Sequence, residues 1–515
     1  MAALFDGRIG FGTAGLRAPM GPGPTRMNRL VVRQATAGLM SWLGEGARVV
    51  IGYDARHRSD RFAADVADVV TAAGGRAERF DRPVPTPVLA HAVLHRAAEA
   101  GVMITASHNP AADNGYKLYL ADGIQLAEPT DRIIAAAIDR VADVAPPGSG
   151  APPPVLGPVE IAAHRAAATA ACLTGHRDVR CVVTPMHGVG GRYLLDAMAA
   201  AGFPTPSVVA AQADPDPDVP TVAFPNPEEA GALDAAIGLA AGTGADLVLA
   251  TDPDADRLAV AVPDRAGDWV RLTGDQVGVL LAEHVITHRA DRTRPAMLAS
   301  SLVSSRLVTA VAAEFGVASI RTLTGFKWVA RPIVDQPDVA YLLGYEEALG
   351  YCVGDRVRDK DGISAALVMA ELVAETRAAG RTLWDRLDDL TARHGAYRTQ
   401  PVTRRFSGPE GMTRRAGLMT AALEHPPGVL AGRRVTDLTD LGADGGPLPP
   451  TSGVVWDLDD GSRVVVRPSG TEPKLKVYIE TVDPVGPAGI AAADQQADAS
   501  IAALAAAVTA WFDAR

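Results

Sequence analysis

Cysteine is scarce in this 515-residue chain, with Cys172, Cys181 and Cys352 forming neither a CxxC pair nor an even set. That excludes a disulfide framework and a thiolate zinc motif and points to a reducing compartment, with the three read as small buried apolar side chains. Positive charge is also short: 49 Lys and Arg stand against 60 Asp and Glu, a formal net charge of -11. A surface of that sign repels polyanions, so neither nucleic acid nor an anionic membrane is expected as a partner. Long apolar runs are missing too. The opening MAALFDGRIGFGTAGLR places Asp6 and Arg8 where a signal peptide needs an unbroken apolar core, and IAALAAAVTAWF near the C-terminus is too short to cross a bilayer and runs into Asp513. A cytoplasmic protein is expected. Aromatics make up only 5%, a habit of composition that carries no functional weight.

Several catalytic signatures are absent as well. No GxSxG is present, which excludes the α/β-hydrolase nucleophile elbow. Neither GxxxxGK[ST] nor a kinase-type Gly-rich loop occurs, so no nucleotide phosphate donor is indicated.

What is there is ordinary globular material, 48% hydrophobic and 21% charged, in a chain too long for one core. Strand-length apolar runs alternate with Ala-rich helical patterns, the signature of βαβ units. RVVIGYD (48 to 54), a helix near RFAADVADVVTAAGG and the strand VMITA form a first set, closed by a Pro/Gly stretch APPGSGAPPPVLGP (145 to 158) that reads as a domain boundary. RCVVTPM, RYLLDAMAAAG and ADLVLAT (245 to 251) form a second set; PAMLASSLV, RLVTAVAAEFG and DVAYLLG (338 to 344) form a third. In each set a strand runs into a polar cluster: SHNP, DPDADR and YEEALGY. Ligands gather at the C-terminal ends of strands in open α/β sheets, so these three ends could line one cleft. From about residue 393 the style changes to VVWDLDDGSRVVVRPSG, KLKVYIET and a closing helix ASIAALAAAVTAWF, an α+β segment.

The chemistry is carried by three of these stretches. In TDPDADR (251 to 257), Asp252, Asp254 and Asp256 alternate, so in an extended segment their carboxylates share one side, and Pro253 bars a helix interior. Three converging carboxylates repel one another unless a cation sits among them, and hard oxygen donors suit Mg²⁺. A solvated acidic turn would explain a generic DxD. An EF-hand is excluded, because Arg257 and Pro263 stand where such a loop needs Gly and Glu. Arg257 beside the cluster can hold a phosphate or balance charge. In RPSGTEPKLK (467 to 476), Arg467, Ser469, Thr471 and the backbone around Gly470 are suited to a phosphate dianion, with Lys474 adding charge, although a turn between two strands explains the same letters. In TASHNPAADNGYK (105 to 117), Ser107 follows a strand, and alone it would be a turn residue before Asn-Pro. With three Asp for Mg²⁺ and a distant phosphate cradle, the set suggests a phosphoryl group carried on Ser107, with His108 or Lys117 exchanging a proton with a sugar hydroxyl.

GTAGLR (12 to 17), TASHNPAADNGYK, TDPDADR, TGFKW (324 to 328), GYEEALGY (344 to 351) and RPSGTEPK, in this order, resemble the α-D-phosphohexomutase superfamily of phosphoglucomutases and phosphomannomutases. With DKDG, they look most like the branch that contains phosphopentomutase and glucose-1,6-bisphosphate synthase. The resemblance implies an α/β protein of three related mixed-sheet α/β domains and a C-terminal α+β domain around a central cleft, with expected spans 1–148, 149–266, 267–392 and 393–515. It implies that Ser107 becomes phosphoserine and binds Mg²⁺ together with Asp252, Asp254 and Asp256, and that Arg17, His108 and Lys117 surround the transfer site. It further implies that Arg257, Thr324, Gly325, Lys327, Glu346 and Lys360 contact the sugar phosphate and that Arg467, Ser469, Gly470 and Thr471 hold the non-reacting phosphate.

The implied activity is a mutase interconverting sugar 1- and 6-phosphates through a bound bisphosphate, with glucose 1,6-bisphosphate as activator, a small phosphosugar as partner, and a monomer or homodimer as the assembly. Glucose phosphate is the expected substrate. Ala348 stands where hexomutases commonly carry a serine, and TGFKW differs from a histidine-containing loop, so mannose and pentose phosphates are the alternatives. Water as acceptor would make the same groups a phosphatase, and a binder without turnover is the third reading.

Overall fold

The computed structural model describes residues 7–10, 15–141, 154–289, 291–406, 410–446, 448–469 and 474–515. Most of the expected Pro/Gly boundary, part of GTAGLR, and Gly470 and Thr471 lie outside the described residues. The chain divides into two compact units, Met1–Ser300 with Gly325–Thr382, and Ser301–Thr324 with Leu383–Arg515.

The first unit opens with a six-stranded sheet in the order Leu16–Pro19, Asp113–Leu120, Ala100–Ile104, Arg48–Tyr53, Arg76–Phe80, Val155–Leu156. Its middle strands are parallel, and Asp113–Leu120 returns antiparallel beside Ala100–Ile104. Strand alternation sends Val49 and Ile51 into a core with Phe62, Val66 and Leu39 of the helices Arg29–Leu43 and Ser59–Ala72. Val50 goes to the opposite face, against Val88, Leu89 and Val93 of the helix Thr86–His95. A sheet covered on both faces needs apolar side chains at successive positions, which is why VVI reads as a continuous run. Asn28 starts the helix Arg29–Leu43 by accepting a hydrogen bond from the Val31 N–H.

The second sheet has the order Trp269–Arg271, Leu258–Pro263, Leu247–Thr251, Cys181–Thr184, Ser207–Val208. Cys181–Thr184 and Leu247–Thr251 are parallel, whereas Leu258–Pro263 folds back antiparallel on Leu247–Thr251. In the third α/β layer, Ala296–Ser301 runs parallel to Ala340–Glu346, which turns back antiparallel as Gly350–Val353. Each polar cluster singled out in the sequence is therefore the loop between a parallel strand and its antiparallel return. Three α/β/α domains and a C-terminal domain make up the fold.

The second unit is built on an antiparallel sheet in the order Ala396–Arg405, Lys474–Asp483, Arg463–Pro468, Val454–Leu458, Arg433–Asp440, Val429–Leu430. Trp456, Val464, Val477 and Ile479 alternate onto the face covered by Leu504, Val508 and Phe512 of the helix Ile490–Asp513. Buried Glu480 joins this sheet to the segment before it, accepting from Ser305 Oγ (2.8 Å), Arg306 N (2.7 Å) and Arg463 Nε (2.8 Å). Among the described residues no helix is long and apolar enough to cross a membrane.

Trp456 is fully buried and its indole N–H donates to the Ala422 carbonyl at 3.0 Å. Trp456→Ala should destabilise the second unit by about 3–5 kcal/mol, by lost transfer energy and an unfilled cavity, read as an earlier unfolding midpoint in urea by circular dichroism.

Candidate functional site

Ser107 follows the strand Ala100–Ile104 and sits at φ 53°, a left-handed conformation uncommon for a residue with a side chain. The loop is held from beneath by buried Arg56, whose guanidinium donates to the carbonyls of Ser107 (2.6 Å), Pro110 (2.7 Å) and Asp113 (3.1 Å) as well as to that of Asn109. Asp54 sets the clamp by accepting from the Arg56 N–H at 3.0 Å and from Ser59 Oγ at 2.7 Å. Thr105 Oγ1 accepts from the Ser107 N–H at 2.9 Å. The result is a serine whose Oγ donates to Asp252 Oδ2 at 2.8 Å and lies 3.1 Å from His108 Nδ1.

The three aspartates meet, but not by the strand alternation expected from their spacing. Leu247–Thr251 ends before them, and Ala255 at φ 54° closes a turn in which its N–H donates to the Asp252 carbonyl at 2.9 Å. A turn brings the carboxylates together more closely than an extended segment could, where alternate side chains lie a full pleat apart. The carboxylate atoms lie within 4.8 Å of one another, and all three residues are buried.

The backbone under this turn is supplied by HGVGG. The Val189 N–H donates to the Pro253 carbonyl at 2.8 Å, and a Cβ on Gly188 would stand 2.3 Å from Pro253 Cα. These glycines make a tight βα turn that admits the acidic loop. On the other side the Gly362 N–H donates to the Ala255 carbonyl at 3.2 Å, and the Leu258 N–H to the Leu349 carbonyl at 3.0 Å.

Three buried carboxylates require compensation. Lys117 Nζ lies 2.6 Å from Asp254 Oδ2 and 2.8 Å from Asp256 Oδ2, and Lys360 Nζ lies 3.2 Å from Asp256 Oδ2. Thr86 Oγ1 adds a hydrogen bond to Asp254 Oδ2 at 2.6 Å, and the Arg257 N–H donates to Asp252 Oδ1 at 3.0 Å. Burial alone would discharge these groups. It pushes Asp252 well above the usual carboxylate range, helped by the charges of Asp254 and Asp256. For Asp254 burial is outweighed by the Lys117 ammonium, which holds the carboxyl low. Lys117 experiences the reverse: burial lowers its pKa, but Asp254 and Asp256 raise it further, so it stays an ammonium. Burial, with Arg257 and Arg17 nearby, pushes His108 well below the usual imidazole value and keeps it neutral.

The outer oxygens of two members remain unused. Asp254 Oδ1 and Asp256 Oδ1 are buried without a hydrogen-bond partner among the described residues. Buried orphan carboxylate oxygens beside Asp252 and the Ser107 hydroxyl form an all-oxygen donor set, which suits a hard divalent cation.

Arg17, on Leu16–Pro19, donates to Asn109 Oδ1 at 3.4 Å. Arg257 pairs with Glu228 at 3.0 Å and forms a bridge with Gly350. Glu346 ends its strand and accepts from the Gly325 N–H at 2.7 Å through Oε1; burial raises its pKa, opposed by the Gly325 N–H, Lys360 and Arg257. Lys360 passes over Gly350, where a Cβ would meet its Cδ at 2.3 Å. Lys327 stands apart. It is buried 5.8 Å from the Trp328 ring centroid, and the charges that act on it are Asp131 and Glu128 instead of the aspartate trio.

Within the second unit, Arg467 bonds Thr324 Oγ1, and the Ser469 N–H donates to the Lys474 carbonyl at 2.9 Å. Arg56, Asp54, Thr86 and Glu228 were not anticipated from the sequence. Asp54 ends the predicted strand RVVIGYD and Arg56 follows it by two residues, a position that could have flagged them. Thr86 and Glu228 carried no local signal.

A left-handed serine facing a buried trio of carboxylates and lysines, at strand tips of α/β sheets, places a hydroxyl beside an all-oxygen donor set, an arrangement suited to phosphoryl transfer. Models of the phosphoglucomutase/phosphomannomutase α/β/α domains I, II and III match residues 8–144, 164–267 and 273–394, and that of the C-terminal domain matches 429–493. The chain belongs to the phosphoglucomutase/phosphomannomutase family, and its activity is that of an isomerase, a phosphosugar mutase.

It is 42% identical to a "probable phosphomannomutase" of Haemophilus influenzae over 88% of this chain and 93% of that one. It is 34% identical to human phosphopentomutase over 94% and 86%, and 32% identical to Staphylococcus haemolyticus phosphoglucomutase over 92% and 90%. In fold it is similar to the open form of Paramecium phosphoglucomutase (parafusin), with a TM-score of 0.74 at 19% identity over 98% of this chain and 94% of the other.

Gly188→Ala places a methyl group against the Pro253 backbone and must displace the acidic loop. Divalent-cation affinity, measured by calorimetric titration, should fall about 10- to 100-fold, as when an outer-shell support is lost, while the far-ultraviolet spectrum is retained.

Proposed function

We propose that this mutase interconverts glucose 1-phosphate and glucose 6-phosphate through a phosphoryl group carried on Ser107. The observation that carries the reading is the 2.8 Å contact of Ser107 Oγ with Asp252, inside a cluster in which one oxygen each of Asp254 and Asp256 has no hydrogen-bond partner among the described residues. Asp252, Asp254, Asp256 and the phosphorylated Ser107 would hold Mg²⁺, which when bound neutralises charge on the transferring phosphoryl group.

The chain's own groups do the rest. His108, neutral and 3.1 Å from Ser107 Oγ, relays a proton from the attacking hydroxyl to the departing oxygen: from the sugar hydroxyl to Ser107 Oγ when the sugar is phosphorylated, and from Ser107 Oγ to the sugar oxygen when the serine takes the phosphoryl group back. Lys117 keeps its proton and acts as fixed charge between Asp254 and Asp256. Arg17 and Arg257 contribute guanidinium donors to the phosphoryl oxygens, and Glu346 with Lys360 orients sugar hydroxyls. Arg467 and Ser469, with Gly470 and Thr471, receive the non-reacting phosphate, and Thr324 and Gly325 line the sugar's path. Each turnover forms the sugar bisphosphate on one transfer and returns its other phosphate to Ser107 on the second. Glucose 1,6-bisphosphate is the activator because it loads the serine. The same reading places domain borders at 148/149, 266/267 and 392/393.

Two observations favour a second substrate. The relatives named above include a phosphopentomutase and a probable phosphomannomutase. Ala348 sits in the turn after Glu346 with no hydroxyl to offer a hexose.

Ser107→Ala should abolish both isomerisation and labelling of the protein by bisphosphate; an alanine variant that turns over glucose 1-phosphate normally would overturn the assignment. A coupled assay over glucose, mannose, ribose and glucosamine monophosphates should give the highest kcat/KM with glucose. Ala348→Ser should raise kcat/KM for glucose phosphate relative to ribose phosphate by about 5- to 10-fold, the worth of one added neutral hydrogen bond.

A further inference from the structure

Two helices leave the candidate site in the first unit, Gly274–His288 and Gly362–Ala378. Near their far ends they present His284 with His288 and Glu371 with Glu375, each pair four residues apart and so on one helical face. His284 is fully buried. Its Nε2 lies 3.0 Å from Glu371 Oε2, and Glu371 is itself fixed by the N–H groups of Leu173 (2.9 Å) and Thr174 (2.7 Å) and by Arg177 Nη1 (2.9 Å). With Nε2–H donated to Glu371, His284 Nδ1 is left as a lone pair. It faces Glu375 Oε2 at 3.3 Å, and both atoms are buried without a hydrogen-bond partner among the described residues. His288 Nε2 approaches the other oxygen, Glu375 Oε1, at 3.0 Å. Two lone-pair atoms face to face repel unless a cation lies between them.

We propose that His284, His288 and Glu375 form a second metal site, selective for a Zn²⁺-class transition ion over Mg²⁺. Their ligand atoms lie within 4.8 Å of one another. Two imidazole nitrogens and one carboxylate match three-ligand zinc coordination with a further position for water, whereas Mg²⁺ prefers all-oxygen donors. Glu371 plays the outer-shell part, fixing the tautomer of His284 and aiming Nδ1. Side-chain exposures of 25% for His288 and Glu375 give the ion a path in from solvent. The site is separate from the aspartate trio: Glu375 lies about 20 Å along its helix from Gly362, whose N–H bonds the acidic loop. The ion would join the distal ends of the two helices and act on stability, independently of the substrate reading above.

The test uses the full chain, stripped with chelator and held in excess Mg²⁺, and titrated with Zn²⁺ alone against a chromophoric competitor. One equivalent of Zn²⁺ should bind and raise the thermal midpoint, and Co²⁺ in its place should give ligand-field bands in the visible. His288→Ala and Glu375→Gln, at partly exposed positions, should each weaken Zn²⁺ binding at least about 10-fold and remove the midpoint shift, with the metal-free midpoint near that of the parent. Zn²⁺ affinity unchanged in both variants would place the ion elsewhere and overturn the proposal. Absence of Zn²⁺ binding in the parent would also overturn it, leaving the cluster as an imidazolium bridging two carboxylates.

Discussion

Three carboxylates within 4.8 Å of one another, removed from water, cannot all stay ionised without positive charge among them. Much of the first unit's architecture answers that constraint. Lys117 comes from the first sheet, Lys360 from the loop before Gly362–Ala378, and the Arg257 N–H from the acidic loop itself. The compensation is incomplete: the lysines and Thr86 use the inner oxygens, and the outer oxygens of Asp254 and Asp256 have no hydrogen-bond partner among the described residues. Had the lysines satisfied every oxygen, the cluster would be a closed ion-pair network. As it stands, the cluster is partly neutralised, and Asp252 accepts from Ser107 Oγ at 2.8 Å.

Rigidity follows from how the loops are held. The Ser107 loop is fixed through its carbonyls by Arg56, and the acidic loop through its backbone by the Gly188 turn, Gly362 and the Leu349 turn. In both cases the support grips main chain and leaves the reactive side chains to one another. A left-handed serine and a left-handed alanine are conformations that persist only when the surroundings over-determine them. Four carbonyls on one guanidinium are such surroundings.

Much of this was legible in the sequence. Parallel strands showed as apolar runs because both faces of each sheet are covered, and the three polar clusters marked the strand tips. Ser107, the aspartates, Lys117 and Lys360 come together from motifs far apart in the chain, as their charges required. What was not legible depended on distance in three dimensions. The aspartate spacing suggested an extended segment, because period-two alternation is a property of local sequence, whereas the turn at Ala255 is imposed by Gly188 and Gly362 packing against it. Arg56 reads as one more surface arginine until the loop it grips, some fifty positions later, is placed above it. Lys327 shares a motif with Gly325, and its surroundings were not legible either: the ammonium lies 5.8 Å from the Trp328 ring centroid, with Asp131 and Glu128 as the charges acting on it.

The serine and its principal counter-charge are bound by one register. Ser107 lies in the loop of a hairpin formed by Ala100–Ile104 and Asp113–Leu120, and in that hairpin Met103 faces Lys117. Side chains alternate along the return strand, and its flanking residues Tyr116 and Leu118 lie in the apolar core with Val102. A slip of one residue would send the ammonium into that core and an apolar group toward Asp254 and Asp256. The slip is opposed twice, by the hydrophobic pattern that buries Tyr116 and by the two ion pairs of Lys117, so the interactions that fold the sheet are also those that set the electrostatics around Ser107.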